Sequence, residues 1–264
     1  MKKDLTLKNS SQLVLSKSKS LLALTDKILS INNSVVAVDE SWMERLWAWA
    51  DKHYIDDEIL PRNKAKTTQL TYLEVHDNVI TEFPQEIWRL TQLTGLWLAD
   101  NLLKDLPQEI GQLTQLTKLW LYDNQLTELP KEIGQLAQLK ELALSYNELT
   151  ELPKEIGQLR QLTELDVSSN QLTALPQEIG QLTQLKELNL NKNLLTEIPN
   201  TVGQLSKLTK LRLVNNKITI LPKEIVNLTN LTHLYIDDEI QLSLLQKDWI
   251  QKYSIYTSST LENN

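Results

Sequence analysis

Two residue ladders of one period constrain the fold more than anything else in this chain. Asparagine recurs at Asn78, Asn101, Asn124, Asn147, Asn170, Asn193 and Asn216, each 23 residues after the last. Proline keeps step at Pro84, Pro107, Pro130, Pro153, Pro176, Pro199 and Pro222. A repeat of that length is one supersecondary unit that cannot bury its apolar side alone. Its copies must stack, and the stack carries the core.

One full unit runs Leu113-x-x-Leu116-x-x-Leu119-x-Leu121-x-x-Asn124-x-Leu126-x-x-Leu129-Pro130-x-x-Ile133. Leu119-x-Leu121 alternates with period 2, so both leucines face one side of a short strand. Asn124 ends the strand, and its amide offers donors and an acceptor to buried backbone groups. Pro130 suits the first position of a helical turn, with Glu132 where the turn's dipole favours an anion. Ile133 and Leu136 return to the core. Gly111, Gly134, Gly157, Gly180 and Gly203 give way to Trp88 in the first such turn and Val226 in the seventh. A left-handed conformation would accept neither, so the turn is expected to be ordinary helical or 3₁₀ geometry.

On this unit the chain resembles the leucine-rich-repeat family, specifically its bacterial class with 23-residue repeats. The resemblance covers roughly residues 67 to 245. It implies an α/β solenoid: a right-handed horseshoe with a concave parallel sheet of about eight strands.

Both ends depart from the frame, as caps of a solenoid must. Residues 1–19 are Ser- and Lys-rich and read as a disordered tail. Residues 20–66 form a helical N-terminal capping segment, with helix expected over 20 to 60. Ser41 and Glu44 suggest a capping box, followed by apolar stripes Trp42, Leu46, Trp49 and Met43, Trp47, Ala50. The solenoid spans 67–245, and 246–264 is a C-terminal cap and tail. Leu242, Leu245, Trp249 and Tyr253 fall on one helical stripe there, and the chain beyond Tyr256 is polar.

Composition narrows function by exclusion. The absence of cysteine removes disulfides, thiolate metal sites and a cysteine nucleophile. A net charge of −7 argues against nucleic acid or an anionic membrane as partner. Met1-Lys2-Lys3 could open a signal peptide, but Asp4, Lys8, Lys17 and Lys19 interrupt every apolar run that follows. Leu21 to Ile31 is too short to span a bilayer. A cytoplasmic monomer is expected, with secretion without a cleaved signal as the alternative.

Nothing resembles a catalytic constellation. His53, His76 and His233 lie in separate segments, and no phosphate loop or nucleophile motif occurs. The chain is expected to be no enzyme and to need no cofactor or metal. A ubiquitin ligase of the kind that carries such repeats would need a cysteine-bearing domain for which there is no room.

The informative residues are those that vary inside the frame. Family architecture implies that the strand positions between the leucines face the concave side. Trp97 and Trp120 are equivalent on adjacent strands, with Tyr122 and Tyr146 beside them and Tyr72 and His76 on the first strand. Asp77, Asp100 and Asp123 rim this cluster. Large rings on a rigid sheet have the composition of a binding hot spot. The alternative is that the rings cover one another or lie beneath the N-terminal helices. The Asp column could in principle hold a cation, but Asp also favours strand-to-turn corners. Ser145, Ser168, Asn189 and Asn191, farther along, carry little signal. A protein-binding scaffold acting through the concave face is the expected function. An exported bacterial effector or host-interaction protein is the alternative.

Overall fold

The structure, a computed structural model, describes residues 41–76, 79–251 and 254–257. The expected disordered tail and the first half of the helical segment lie outside these residues, as do Asp77, Asn78 and Tyr253. The chain divides into compact units 1–44 and 45–264, and the second carries the repeats.

Among the described residues its backbone is one sheet of nine strands in chain order: β1 (Tyr72–Glu74), β2 (Gly95–Trp97), β3 (Lys118–Trp120), β4 (Glu141–Ala143), β5 (Glu164–Asp166), β6 (Glu187–Asn189), β7 (Lys210–Arg212), β8 (His233–Ile236) and β9 (Ser254–Thr257). Every neighbouring pair is parallel. From β1 to β8 each residue pairs with its counterpart 23 positions later, as Leu96 with Leu119 and Trp97 with Trp120. The leucines Leu96, Leu119, Leu142, Leu165, Leu188, Leu211 and Leu234 are buried, so the period-2 alternation works as expected. β9 goes beyond the expected strands: part of what the sequence suggests is a cap and polar tail pairs with β8.

Among the described residues seven 3₁₀ turns, from Gln85–Arg89 to Lys223–Asn227, make the opposite side of the stack. Each follows its ladder proline, which stands one residue earlier than the sequence suggested. Pro130 has φ −66 and ψ 145, outside helical space, and its carbonyl accepts from Ile133 N–H at 3.0 Å. No glycine has positive φ, so the glycine is needed for space. A Cβ on Gly180 would sit 2.5 Å from the Thr201 carbonyl oxygen of the next turn. Gly180→Ala is therefore expected to cost about 1–3 kcal/mol, because adjoining turns would have to separate. A chemical-denaturation midpoint equal to the parent's would show that the turns give way freely.

The ladder asparagines fasten each repeat to the one before. Asn124 Nδ2 donates to the carbonyls of Leu98 (2.9 Å) and Leu121 (3.2 Å), and its Oδ1 accepts from Leu103 N–H at 3.0 Å. Asn101, Asn147, Asn170 and Asn193 repeat the pattern and are buried. At the last ladder position Asp237 stands in for a missing backbone acceptor. Its carboxylate accepts from Asn215 N–H (2.9 Å) and Asn216 N–H (3.2 Å).

The ends differ from expectation in detail. Helix α1 (Ser41–Lys52) stops well short of residue 60. Tyr54 turns left-handed (φ 56), and Ile55 N–H donates to Ala50 O at 2.9 Å, a bonding pattern that closes a helix. α1 buries Leu46 and Ala50 completely. It is tied to the first repeat by Arg45–Glu86 (2.6 Å) and by Trp49 against Phe83. Trp47 Nε1 donates to Thr67 Oγ1 of helix α2 (Lys64–Thr68) at 3.1 Å.

At the other end, helix α3 (Leu244–Ile250) opens with a Ser243–Gln246 capping box. The expected stripe is wrong in part: Trp249 is buried, but Leu245 is exposed and Leu242 half-buried. Buried Gln246 sets the rotation instead, since its Nε2 donates to the carbonyls of Leu221 (3.0 Å) and Pro222 (3.1 Å) and swings Leu245 outward. No helix among the described residues is long and apolar enough to cross a membrane.

Candidate functional site: the open face of the sheet

Packing on one side of the strands leaves the intervening positions on the other. Three of the rings form a continuous ladder there. Tyr72 and Trp97 have centroids 5.6 Å apart, and Trp97 and Trp120 5.3 Å apart, tilted by 34° and 33°. Offset, tilted rings at this separation are a favourable aromatic arrangement. The rings therefore do cover one another in part: Trp97 and Trp120 are half-buried, while Tyr72 remains 51% exposed. Trp97 Nε1 is buried with no hydrogen-bond partner among the described residues.

Gly95 makes the ladder possible. It pairs with Tyr72, and a Cβ there would lie 2.6 Å from the Tyr72 ring. The sequence held a signal for this: Gly95 is the one glycine of six outside the turn ladder.

The remaining candidates take different places. Tyr122 is half-buried beyond the end of β3. His76 is exposed, with Nε2 3.4 Å from Glu74 Oε1. Asp100, Asp123 and Tyr146 occupy equivalent corners before the ladder asparagines, all left-handed at φ 53, 52 and 55. Asp tolerates that conformation, so backbone geometry accounts for the Asp column. Among the described residues no three His, Cys, Asp or Glu side chains are grouped to hold a metal. Tyr146 is different: a bulky residue in a conformation that disfavours it, 58% exposed.

Two features of this face escaped the sequence. Near its end, His233, Tyr235 and Tyr256 stack almost parallel, with Tyr235 and Tyr256 centroids 4.6 Å apart, and Arg212 lies 5.2 Å over Tyr235. Tyr256 comes from the unforeseen β9. In the middle, small residues follow large ones: Ala143 pairs with Trp120. The step leaves a hollow of ≈ 320 Å³ between Trp120 and Tyr122 on one side and Asn189 and Arg212 on the other. The polar residues there bind one another. Asp166 accepts from Ser168 Oγ (2.6 Å) and Asn189 Nδ2 (3.0 Å), and Asn191 Oδ1 accepts from Val214 N–H (2.8 Å).

A stacked parallel sheet with a ring-bearing outer face is the build of a repeat protein that offers a surface, and comparison gives the family. Profiles described as "Leucine-rich repeat region" match residues 56–145 and 130–194, and "Leucine rich repeat" matches 183–239. A leucine-rich-repeat protein of Leptospira interrogans is 40% identical, with a TM-score of 0.67 over 71% of this chain and 48% of its own. An internalin of Listeria monocytogenes is 28% identical, with a TM-score of 0.63 over 73% and 55%. A plant peptide hormone receptor solved in complex with RGF2 is 28% identical, with a TM-score of 0.56 over 73% and 37%. The chain thus spans about half the length of the first two. Comparison with curated proteins gave no match. The chain belongs to the leucine-rich-repeat family, whose domains generally mediate protein–protein interaction.

Proposed function

We propose that this protein is a non-catalytic scaffold that binds a protein partner on the open face of its sheet. The aromatic residues of β1–β3 and the Tyr146 corner form the centre of contact. The observation that carries the reading is the Tyr72–Trp97–Trp120 ladder, apolar area on an outer face whose opposite side is already packed. Large rigid rings lose little conformational entropy for the area they bury, so they serve as anchors. Tyr146 agrees: a non-glycine residue held left-handed costs about 1–2 kcal/mol, and its ring stands 58% exposed. His76, Asp100 and Asp123 form the polar surround. The plant neighbour bound to RGF2 supports a protein or peptide ligand for this architecture.

Affinity capture with the intact protein tests this beside two variants, Trp97→Ala/Trp120→Ala and Tyr146→Gly. The double variant is expected to lose the partner, since truncating a central ring costs about 2 kcal/mol or more. Tyr146→Gly is expected to bind more weakly while its denaturation midpoint rises. Undiminished capture by a folded double variant would overturn the assignment.

A further inference from the structure

The hollow beside the ring ladder carries an unbalanced charge. Glu141, Glu164 and Glu187 follow one another in register along its edge. Glu141 is matched by Lys118 at 2.9 Å, and that hydrogen bond raises the Lys118 ammonium above its usual range. Glu187 is matched by Lys210 at 2.9 Å and Arg212 at 3.5 Å. Burial pushes the Glu187 carboxyl up, but the Lys210 hydrogen bond and the two cations outweigh it and hold the group low. Glu164, between them, is exposed, and its carboxylate makes no ion pair or hydrogen bond among the described residues, although its charge adds to the raising of Lys118. Two residues along the same strand and on the same face, Asp166 holds only the neutral donors of Ser168 and Asn189.

Two carboxylates without a matching cation thus border a hollow walled by Trp120 and Tyr122. The chain already places cations over rings on this face: Lys118 Nζ lies 5.9 Å from the Trp120 centroid, and Arg212 lies over Tyr235. Resting on the scaffold reading above, we propose that the hollow receives one basic side chain of the partner, arginine in preference to lysine. Its charged head lies at Glu164 and Asp166, and its stem and plane rest against Trp120. Arginine fits best because a flat guanidinium can meet a carboxylate with two hydrogen bonds while stacking on an indole. Ala143 sets the depth, since any larger side chain opposite Trp120 would fill the space. The preference for a positive group comes from Glu164 and Asp166, since the ion pairs of Lys118, Lys210 and Arg212 go to Glu141 and Glu187.

The test selects random peptides displayed on phage against the intact protein, then measures the dominant peptide by fluorescence anisotropy. The expected peptide carries an arginine or lysine at a fixed place. Replacing that residue with citrulline, which keeps the shape and loses the charge, should weaken binding about tenfold. Glu164→Gln should cost the parent peptide about tenfold and the citrulline peptide little, while Glu151→Gln, exposed and away from this face, changes neither. Selected peptides without a fixed basic residue, or with unchanged affinity for Glu164→Gln, would overturn the inference. If those peptides were still lost on Trp97→Ala/Trp120→Ala, the scaffold reading would survive. Peptides indifferent to every variant, or no enrichment at all, would sink both.

Discussion

Replacing Asn147 by leucine is expected to cost about 2–4 kcal/mol of stability, because it strands at least two buried backbone groups, each costing about 1–3 kcal/mol before the turn relaxes around them. Asn147 Nδ2 donates to the carbonyls of Leu121 (2.9 Å), Leu144 (3.1 Å) and Ser145 (3.3 Å), and its Oδ1 accepts from Leu126 N–H at 2.9 Å. One side chain therefore closes its own turn and binds the preceding repeat. Leucine has similar bulk and none of these groups, and position 147 is buried, so water cannot substitute. The loss falls in the middle of the stack, where each repeat depends on its neighbours. Chemical denaturation should show a lower midpoint. An unchanged midpoint and slope would mean that the amide bonds add no net stability.

What was legible in the sequence follows from what the repeat repeats. The strands, the buried leucines, the ladder bonds and the 3₁₀ turns recur at a 23-residue period, and each copy restates the same local physics. Features that depend on one copy alone were hidden. β9 lies 21 residues after β8, out of step with the ladders. The rotation of α3 is set by two hydrogen bonds from Gln246 to a turn some 25 residues earlier.

On the open face, the rings themselves could be read from the sequence. Their contact depends on Gly95 leaving space for Tyr72. The left-handed corner was half visible, because Asp100, Asp123 and Asn215 suit it while Tyr146 and Lys192 do not. That the Glu164 carboxylate is left without an ion pair was not legible at all. It emerges only when Lys118 and Lys210 choose the glutamates on either side, a matter of side-chain reach between strands.

The first repeat needs a cover, and the largest effect expected from a single substitution lies there. Leu46→Asp should cost about 3–5 kcal/mol, the range for an uncompensated buried charge, against a total stability of about 5–15 kcal/mol for a domain. Leu46 is fully buried on α1, one turn before equally buried Ala50. α1 is held to the first repeat by the Arg45–Glu86 pair and the Trp49–Phe83 contact, and to α2 by the Trp47–Thr67 hydrogen bond. Arg45 also explains the low Glu86 carboxyl: burial pushes it up, but the Arg45 hydrogen bond, with the Arg45 and Arg89 charges, more than offsets this. A charge at Leu46 would drive this helix off and expose the apolar end of the stack, where Leu73, Ile80 and Ile87 are wholly buried. The variant should show a lowered or lost cooperative transition and should aggregate, whereas Ala48→Asp, on the exposed side of α1, should leave both unchanged. Were the two variants equally stable and monomeric, α1 would have no part in covering the repeat array.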